Sequence, residues 1–193
     1  MFLLNNEQIQ SYVEDSHNNY LNILNFERRM LQHTFYYFRL GVEIKLEYQG
    51  QSITYALNKE NRYLTLKPNE YAVIETYETF IMSDKVFGMF GQWSDFIDLG
   101  LEMVNSPFID PLFSGRLKLG IWNHSKKIAK LEIGQPIGKV AFFDISDTNP
   151  IRVLTGSIIE QRFNRRVPLR DDDPVHPQTE EEEQAGIESI KAK

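Results

Sequence analysis

From Val42 the chain alternates: Val42, Ile44, Leu46 and Tyr48 are apolar, while Glu43, Lys45 and Glu47 between them are charged. Successive strand residues point to opposite faces, so this spacing predicts a strand with one solvated face. Ser52–Leu57, Tyr63–Leu66, Tyr71–Met82 and Val86–Phe90 read as further strands, followed by Ile97–Val104, Arg116–Trp122, Ile128–Ile133 and Lys139–Asp144. Pro68-Asn69 marks a turn before the strand at Tyr71, and Gly, Pro, Asn or Asp fills most other gaps. Many short strands with regular turn signals predict a sandwich, jelly roll or barrel. There is no βαβ alternation and no internal repeat. Ahead of the strands, Asn5 is placed to cap a short helix, with Gln8 in the reciprocal capping-box position and Ile9, Tyr12 and Val13 on one face. Residues 15–34 are polar and mixed, with a second short helix expected over Glu27–Leu31.

Composition narrows the classes. A chain of 193 residues is long enough for one domain and a tail. With 21 Lys+Arg against 27 Asp+Glu, the net charge of -6 argues against nonspecific binding to nucleic acid or to an anionic membrane. There are no cysteines, which excludes disulfides and the His/Cys zinc site of the zinc-dependent deaminases. His17, His33, His124 and His176 lack metal-ligand spacing, and no P-loop, nucleophile elbow or dinucleotide fingerprint is present. The N-terminus has no basic segment followed by a long apolar run, and no apolar stretch approaches the ~18 residues of a membrane span. A cytoplasmic location is expected. After Arg170 the composition changes: Asp171–Asp173 and Glu180–Glu183 are acidic runs interspersed with prolines. Such a segment buries too little apolar area to offset its ordering entropy. The expected organisation is a domain over 1–170 and an acidic mobile tail over 171–193.

Three ordered segments are more specific. They are Leu66-Lys67-Pro68-Asn69-Glu70-Tyr71 with Thr76 and Glu78; Leu99-Gly100-Leu101 followed by Ile109-Asp110-Pro111-Leu112-Phe113-Ser114-Gly115 and Leu117-Lys118-Leu119-Gly120-Ile121-Trp122-Asn123; and Ile133-Gly134-Gln135-Pro136-Ile137-Gly138-Lys139-Val140-Ala141-Phe142-Phe143. With Arg39-Leu40-Gly41, they resemble the dCTP deaminase branch of the trimeric dUTPase superfamily over about residues 1–170. The resemblance implies an all-β fold, a distorted jelly roll (β-clip) of the dUTPase-like type with a short N-terminal helix. It also implies a homotrimer with sites between subunits, a deoxynucleoside triphosphate ligand, and Mg²⁺ carried on its phosphates without zinc. Members of the superfamily deaminate dCTP to dUTP, hydrolyse dUTP to dUMP and pyrophosphate, or do both.

The departures fall on the chemistry. Zinc-free deamination needs a general acid/base beside the pyrimidine, and the family's L-E-L glutamate corresponds to Gly120, flanked by Lys118 and Leu119. The family's phosphate-binding R-S-S segment corresponds to Gln92-Trp93-Ser94, so Gln92 or Trp93 replaces the arginine and Ser94 matches one serine. Asp98 replaces a second arginine, Tyr37 the acid before R-L-G, and Lys139 a glutamine. Lost cations weaken phosphate binding; Lys139 either restores one or is a solvated side chain. Asp110 survives from the family's I-D, where it touches the deoxyribose 3′-OH, or else is a turn residue before Pro111. Arg162, Phe163 and Arg166 match positions of a closing phosphate- and base-binding arm, four arginines falling within Arg162–Arg170; the alternative is salt bridging to the acidic tail. Trp93 and Trp122 read as core or interface rather than stacking platforms.

The expected function is therefore a catalytically degenerate dCTP deaminase-like protein that binds a pyrimidine deoxynucleotide through Trp93, Ser94, Asp110, Lys118, Leu119, Gly120, Lys139, Arg162, Phe163 and Arg166. It would act as a sensor or regulatory subunit. One alternative is a divergent working enzyme using Asp110, with dCTP deaminase or dUTPase activity. The other is a trimeric interaction scaffold that engages a protein partner, for instance through the acidic tail.

Overall fold

The computed structural model describes residues 1–15, 20–48 and 51–148. Strand β1 (Phe2–Leu3) leads into helix α1 (Asn6–Glu14). Asn5 Oδ1 accepts from the Gln8 N–H and Gln8 Oε1 from the Asn5 N–H, each at 2.9 Å, so the expected capping box is complete. Ile9 is fully buried and Tyr12 and Val13 pack on the core, as their spacing requires. Then come β2 (Leu21–Leu24), a single 3-10 turn at Arg28–Met30, β3 (Leu31–Gln32) and the long β4 (Phe35–Tyr48). β2 lies where the sequence reads as mixed polar; its Leu21 and Ile23 are buried and alternate with exposed neighbours.

The strands β5 (Gln51–Ala56), β6 (Tyr63–Leu66), β7 (Tyr71–Thr76), β8 (Thr79–Met82) and β9 (Val86–Gln92) follow. The expected continuous strand Tyr71–Met82 is thus broken at Tyr77-Glu78, and β7 and β8 enter different sheets. The expected strand Ile97–Val104 is also divided. Its first half is the short helix α2 (Asp95–Leu99), which ends at Gly100 (φ 67°), and only β10 (Leu101–Val104) is extended. β11 (Phe108–Ile109), β12 (Ser114–Gly115), β13 (Lys118–Asn123), β14 (Ala129–Glu132) and β15 (Pro136–Asp144) complete the described elements.

The largest sheet runs β10-β13-β7-β4-β15-β9-β11, with β1 on β15 and β3 and β5 on β4; every pairing within it is antiparallel. Two small sheets, β12-β8-β2 and β14-β6, complete the pairing among the described residues. The large sheet curls on itself: the Met103 N–H of edge strand β10 donates to Gln92 Oε1 of β9 at 3.0 Å. Tyr36, Phe38, Phe80, Phe96 and Phe142 are fully buried inside the curl. At roughly 1.5–3 kcal/mol for each such side chain, this burial is the main stabilising term. The architecture is the all-β distorted jelly roll of the dUTPase-like type with a short N-terminal helix. Among the described residues, no helix is long and apolar enough to cross a membrane.

Two polar groups of the core explain sequence motifs. Glu78 is fully buried, and the Tyr36 hydroxyl (3.2 Å) and Arg39 Nε (2.6 Å) donate to its Oε1 while the Arg39 N–H (2.9 Å) donates to Oε2. Burial and then the Glu78 charge push the Tyr36 phenol above its usual pKa. Burial works against the Arg39 charge, but the hydrogen bond to Glu78 holds its pKa above normal. Thr76 Oγ1 donates to the Glu78 carbonyl and accepts the Leu117 N–H. Arg39-Leu40-Gly41 and Thr76-x-Glu78 are therefore two halves of one junction. A Cβ on Gly41 would lie 2.5 Å from the Glu75 carbonyl oxygen and 2.8 Å from that of Thr76, so only glycine fits this close approach. The second group is Asn123, also fully buried: its Nδ2 donates to the Leu66 and Lys127 carbonyls, and its Oδ1 accepts from the Ser125 N–H and hydroxyl.

Candidate functional site on the outer face of the sheet

Along β13 the even-numbered residues Lys118, Gly120 and Trp122 lie on the face opposite Leu119 and Ile121, which enter the core; Lys118 and Trp122 are exposed, and Gly120 is buried. Leu119 is accordingly a core side chain, 1% exposed, and reaches a ligand only through its backbone. The register sets Gly120 beside Val73 of β7 and Val104 of β10, Lys118 beside Glu75, and Trp122 beside Tyr71 and Glu102. Lys45 of β4 lies across from Val73, and Thr54 of β5 across from Lys45. Part of this face is a groove of about 180 Å³ lined by Glu43, Ile44, Lys45, Thr54, Val73, Ile74, Glu75 and Lys118; its lining does not include Tyr71 or Gly120. Ligand pockets that enclose a whole small molecule are usually ~300 Å³ or more, so this groove is too small to enclose one. Two ammonium groups border it. Lys45 Nζ sits 2.6 Å from Glu47 Oε1, and Lys118 Nζ sits 4.0 Å from Glu75 Oε1 on a side chain that is 70% exposed. Exposed pairs of this kind are weak.

The space at Gly120 is filled from the neighbouring strand. A Cβ built there would fall on the Tyr71 hydroxyl oxygen and lie 2.6 Å from Cζ and Cε2 of the same ring. Tyr71 is half-buried and meets Trp122 edge-to-face, with ring centroids 6.4 Å apart. Trp122, 41% exposed, stacks on His124 at 4.8 Å, and His124 Nε2 lies 2.6 Å from Glu102 Oε2. Trp122 is thus neither core nor covered by the described chain. Position 120 carries no side chain, and a Cβ there would collide with Tyr71 as placed.

The other predicted residues form a second group around β9 and β15. Gln92 is committed to the fold through Met103, Trp93 is half-buried against the core with its N–H on the Ile137 carbonyl (3.0 Å), and Ser94 precedes α2 on the surface. Lys139 pairs with Gly91 and Tyr37, and its Nζ lies over the Phe35 ring, 4.8 Å from the centroid, which makes it a half-buried cation rather than a solvated one. Asp98 is on the exposed side of α2. Asp110 is exposed and closes a turn, its carbonyl accepting the Phe113 N–H at 3.2 Å. It follows β11, with residues 105–109 separating it from the Val104–Gly120 rung. Arg162, Phe163 and Arg166, and with them the arm and the acidic tail, lie outside the described residues. Sequence reasoning missed Tyr71, Val73, Glu75, Lys45, Glu43 and Thr54. Strand alternation marks them as outward-facing, but only the register shows that Tyr71 and Val73 lie beside Gly120 and that the others continue the same face across β4 and β5.

A family model described as dCTP deaminase-like matches residues 3–145. The chain belongs to the dCTP deaminase-like family. Among curated relatives, the dUMP-forming dCTP deaminase of Tropheryma whipplei (strain Twist) is 33% identical over 99 residues, covering 51% of this chain and 50% of that protein. The dUMP-forming dCTP deaminase of Pseudarthrobacter chlorophenolicus is 32% identical over 91 residues, covering 47% and 48%. The chain spans about half the length of the curated relatives it matches. Among solved structures, the 2′-deoxycytidine 5′-triphosphate deaminase of Agrobacterium tumefaciens superposes with a TM-score of 0.60 at 12% identity, over 72% of this chain and 47% of that one. This last likeness establishes the fold. The ordered motifs at Arg39–Gly41, Thr76–Glu78 and Asn123 form buried junctions of this fold.

Proposed function

We propose that this chain binds a pyrimidine deoxynucleotide without deaminating it and serves as a sensor or regulatory subunit. The observation that carries this reading is Gly120, whose side-chain space is taken by Tyr71 where the family pattern has a glutamate. The nucleotide would lie along the groove with its phosphates toward Lys118 and Lys45. Mg²⁺ would come with the phosphates, since hard cations of this type bind readily to phosphate oxygens, and among the described residues no cluster of three or more His, Asp or Glu is arranged to hold a metal.

The reading includes a homotrimer. The predicted residues fall into two groups on different strand pairs, Lys118 with Gly120 and Gln92–Ser94 with Lys139, which is the division a site shared between neighbouring copies requires. A strip of Leu3 (41% exposed), Met89 (42%) and Phe108 (49%), backed by Phe87 and Phe143, supplies an apolar surface for the contact. Light scattering on the full chain is expected to give a trimeric mass; a monomer would remove this element. The activity test is incubation with dCTP and with dUTP plus Mg²⁺, with products separated by chromatography and melting temperature followed in parallel. No product together with a nucleotide-dependent rise in melting temperature is expected. Turnover above a buffer control would overturn the degenerate reading and leave a working enzyme with a relocated acid. Neither product nor shift would leave a scaffold.

A further inference from the structure

We infer that two copies of this chain associate by pairing their β5 strands antiparallel about a twofold axis at Ile53, which extends the large sheet across the contact. β5 (Gln51–Ala56) is an edge: it pairs with β4 and with no other described strand. Parity shows which of its backbone groups are left over. The Leu57 N–H donates to the Val42 carbonyl at 2.8 Å. In an antiparallel ladder, residue pairs that exchange hydrogen bonds alternate with pairs that do not, so Ile53 and Tyr55 turn their N–H and C=O groups toward β4. Ser52, Thr54 and Ala56 turn theirs to the open side, and all three residues are exposed. Such a row of unpaired groups is a template for another strand, and natural edges are guarded by charge, proline or a bulge. Gln51-Ser52-Ile53-Thr54-Tyr55-Ala56 carries no charge and no proline, and its register with β4 runs without a break.

Charge and pleat together select the register. A twofold axis normal to the sheet keeps both inner faces on one side, so inner-face residues must meet inner-face residues. Centring on Ile53 sets Ile53 against Ile53, and Thr54 of each copy against Ser52 of the other. The Thr54–Ser52 rungs then exchange hydrogen bonds through the very groups that β4 leaves open. On the inner face the central rung reads Leu46, Ile53, Ile53, Leu46 across the join, and it covers Ile53, which is 58% exposed in the single chain. β-Branched pairs across a ladder are favourable. On the outer face each rung runs from Lys45 of one copy through Thr54 and Ser52 to Glu47 of the other, so opposite charges face along it. Centring on Ser52 would instead line Glu47 against Glu47, and centring on Thr54 would line Lys45 against Lys45. Within one copy Lys45 and Glu47 already pair at 2.6 Å, so no unbalanced charge opposes the approach.

A contact of one strand from each copy is small, so the association is weak and concentration-dependent. It needs no nucleotide, and it doubles whatever mass the chain has at low concentration. Sedimentation velocity on the full chain over a concentration series is expected to show that doubling. Thr54→Pro removes an N–H that β4 does not use and should raise the dissociation constant about tenfold or more. Ile53→Lys, which sets like charges directly opposite each other, should do the same. Melting temperatures at low concentration show that both variants remain folded. The chain has no cysteine, so Ile53→Cys provides a second measurement. Directly opposite residues of a non-hydrogen-bonded pair have Cα atoms about 4.5 Å apart, within the range of a disulfide. Mild oxidation should therefore link Ile53→Cys into a dimer band on a non-reducing gel well ahead of Ile97→Cys, although Ile97 is 71% exposed. A mass that stays constant with concentration, while Ile53→Cys links no faster than Ile97→Cys, refutes self-pairing and leaves the edge to an unlike strand. A doubling that survives both Thr54→Pro and Ile53→Lys also refutes it.

Discussion

Truncation of Glu78 to alanine is the sharpest test of the junction that holds β4, β7 and β8 together. The carboxylate is fully buried and its two oxygens accept three hydrogen bonds, two of them from Arg39, whose side chain is 13% exposed. Among the described residues, Glu78→Ala leaves the guanidinium with the Asn25 carbonyl, the Tyr77 ring and the Glu27 charge, and the Tyr36 hydroxyl without its acceptor. Removing one partner of a buried ion pair costs about 3–5 kcal/mol, a large part of the ~5–15 kcal/mol that stabilises a typical domain. At roughly 3 °C per kcal/mol for a domain of this size, the melting temperature should fall by ~10 °C or more. Urea unfolding followed by circular dichroism measures the change, with an unchanged slope showing that the transition itself is the same. The double variant Arg39→Met/Glu78→Leu, which removes both charges and keeps apolar bulk, should recover much of the loss. A Glu78→Ala protein within 1 kcal/mol of wild type would refute this account of the motif.

Three further predictions concern the frame. Gly41→Ala drives a methyl group against two carbonyl oxygens of β7 and should cost about 1–3 kcal/mol or more by urea titration; a neutral effect would mean that the strands can part freely. Asn123→Ala takes a partner from the Leu66 carbonyl and from the Ser125 N–H, while the Ser125 hydroxyl keeps the Lys127 carbonyl, with an expected loss of about 1–3 kcal/mol in the same assay, whereas a loss under about 0.5 would show that water replaces the amide. Asp144 is buried, and although that burial pulls the other way, hydrogen bonds from Ser146 and from the Tyr12 hydroxyl (2.6 Å) hold its carboxyl below the usual aspartate range. Because the folded pKa is depressed, this stabilisation is full above the unfolded value of ~3.9 and is lost as pH falls through the folded one. Asp144→Asn should therefore be less stable than wild type at pH 7, and the gap should close as pH drops from about 5 to 2. Melting curves that stay parallel over that range would show that Asp144 does not carry the effect.

Much of this protein is written in its local sequence. The capping box at Asn5 and Gln8 is legible because both hydrogen bonds are made within one helical turn. The strand over Val42–Tyr48 is legible because one face is wet and the other dry, and alternation records nothing else. The ordered motifs identify the family because each is pinned by a junction that accepts few residues: Gly41 by two carbonyls, Glu78 by Arg39, Asn123 by a turn. Gly120 could be singled out from the sequence alone because it falls inside the ordered Leu117–Asn123 segment.

Other features had no local signal. The break at Tyr77-Glu78 arises because Glu78 turns inward to Arg39, 39 residues earlier in the chain, against the apolar alternation of its neighbours. Phe96 is buried from within a short helix although its surroundings read as strand, because Gly100 turns the chain before β10 begins. Tyr71 and Gly120 are 49 residues apart, and nothing in either segment says that one fills the other's space. That relation exists only once β7 and β13 pair in a particular register. Local sequence determines which residues can face a site; long-range pairing decides which of them meet there, since a strand's side-chain period fixes direction but not its neighbour.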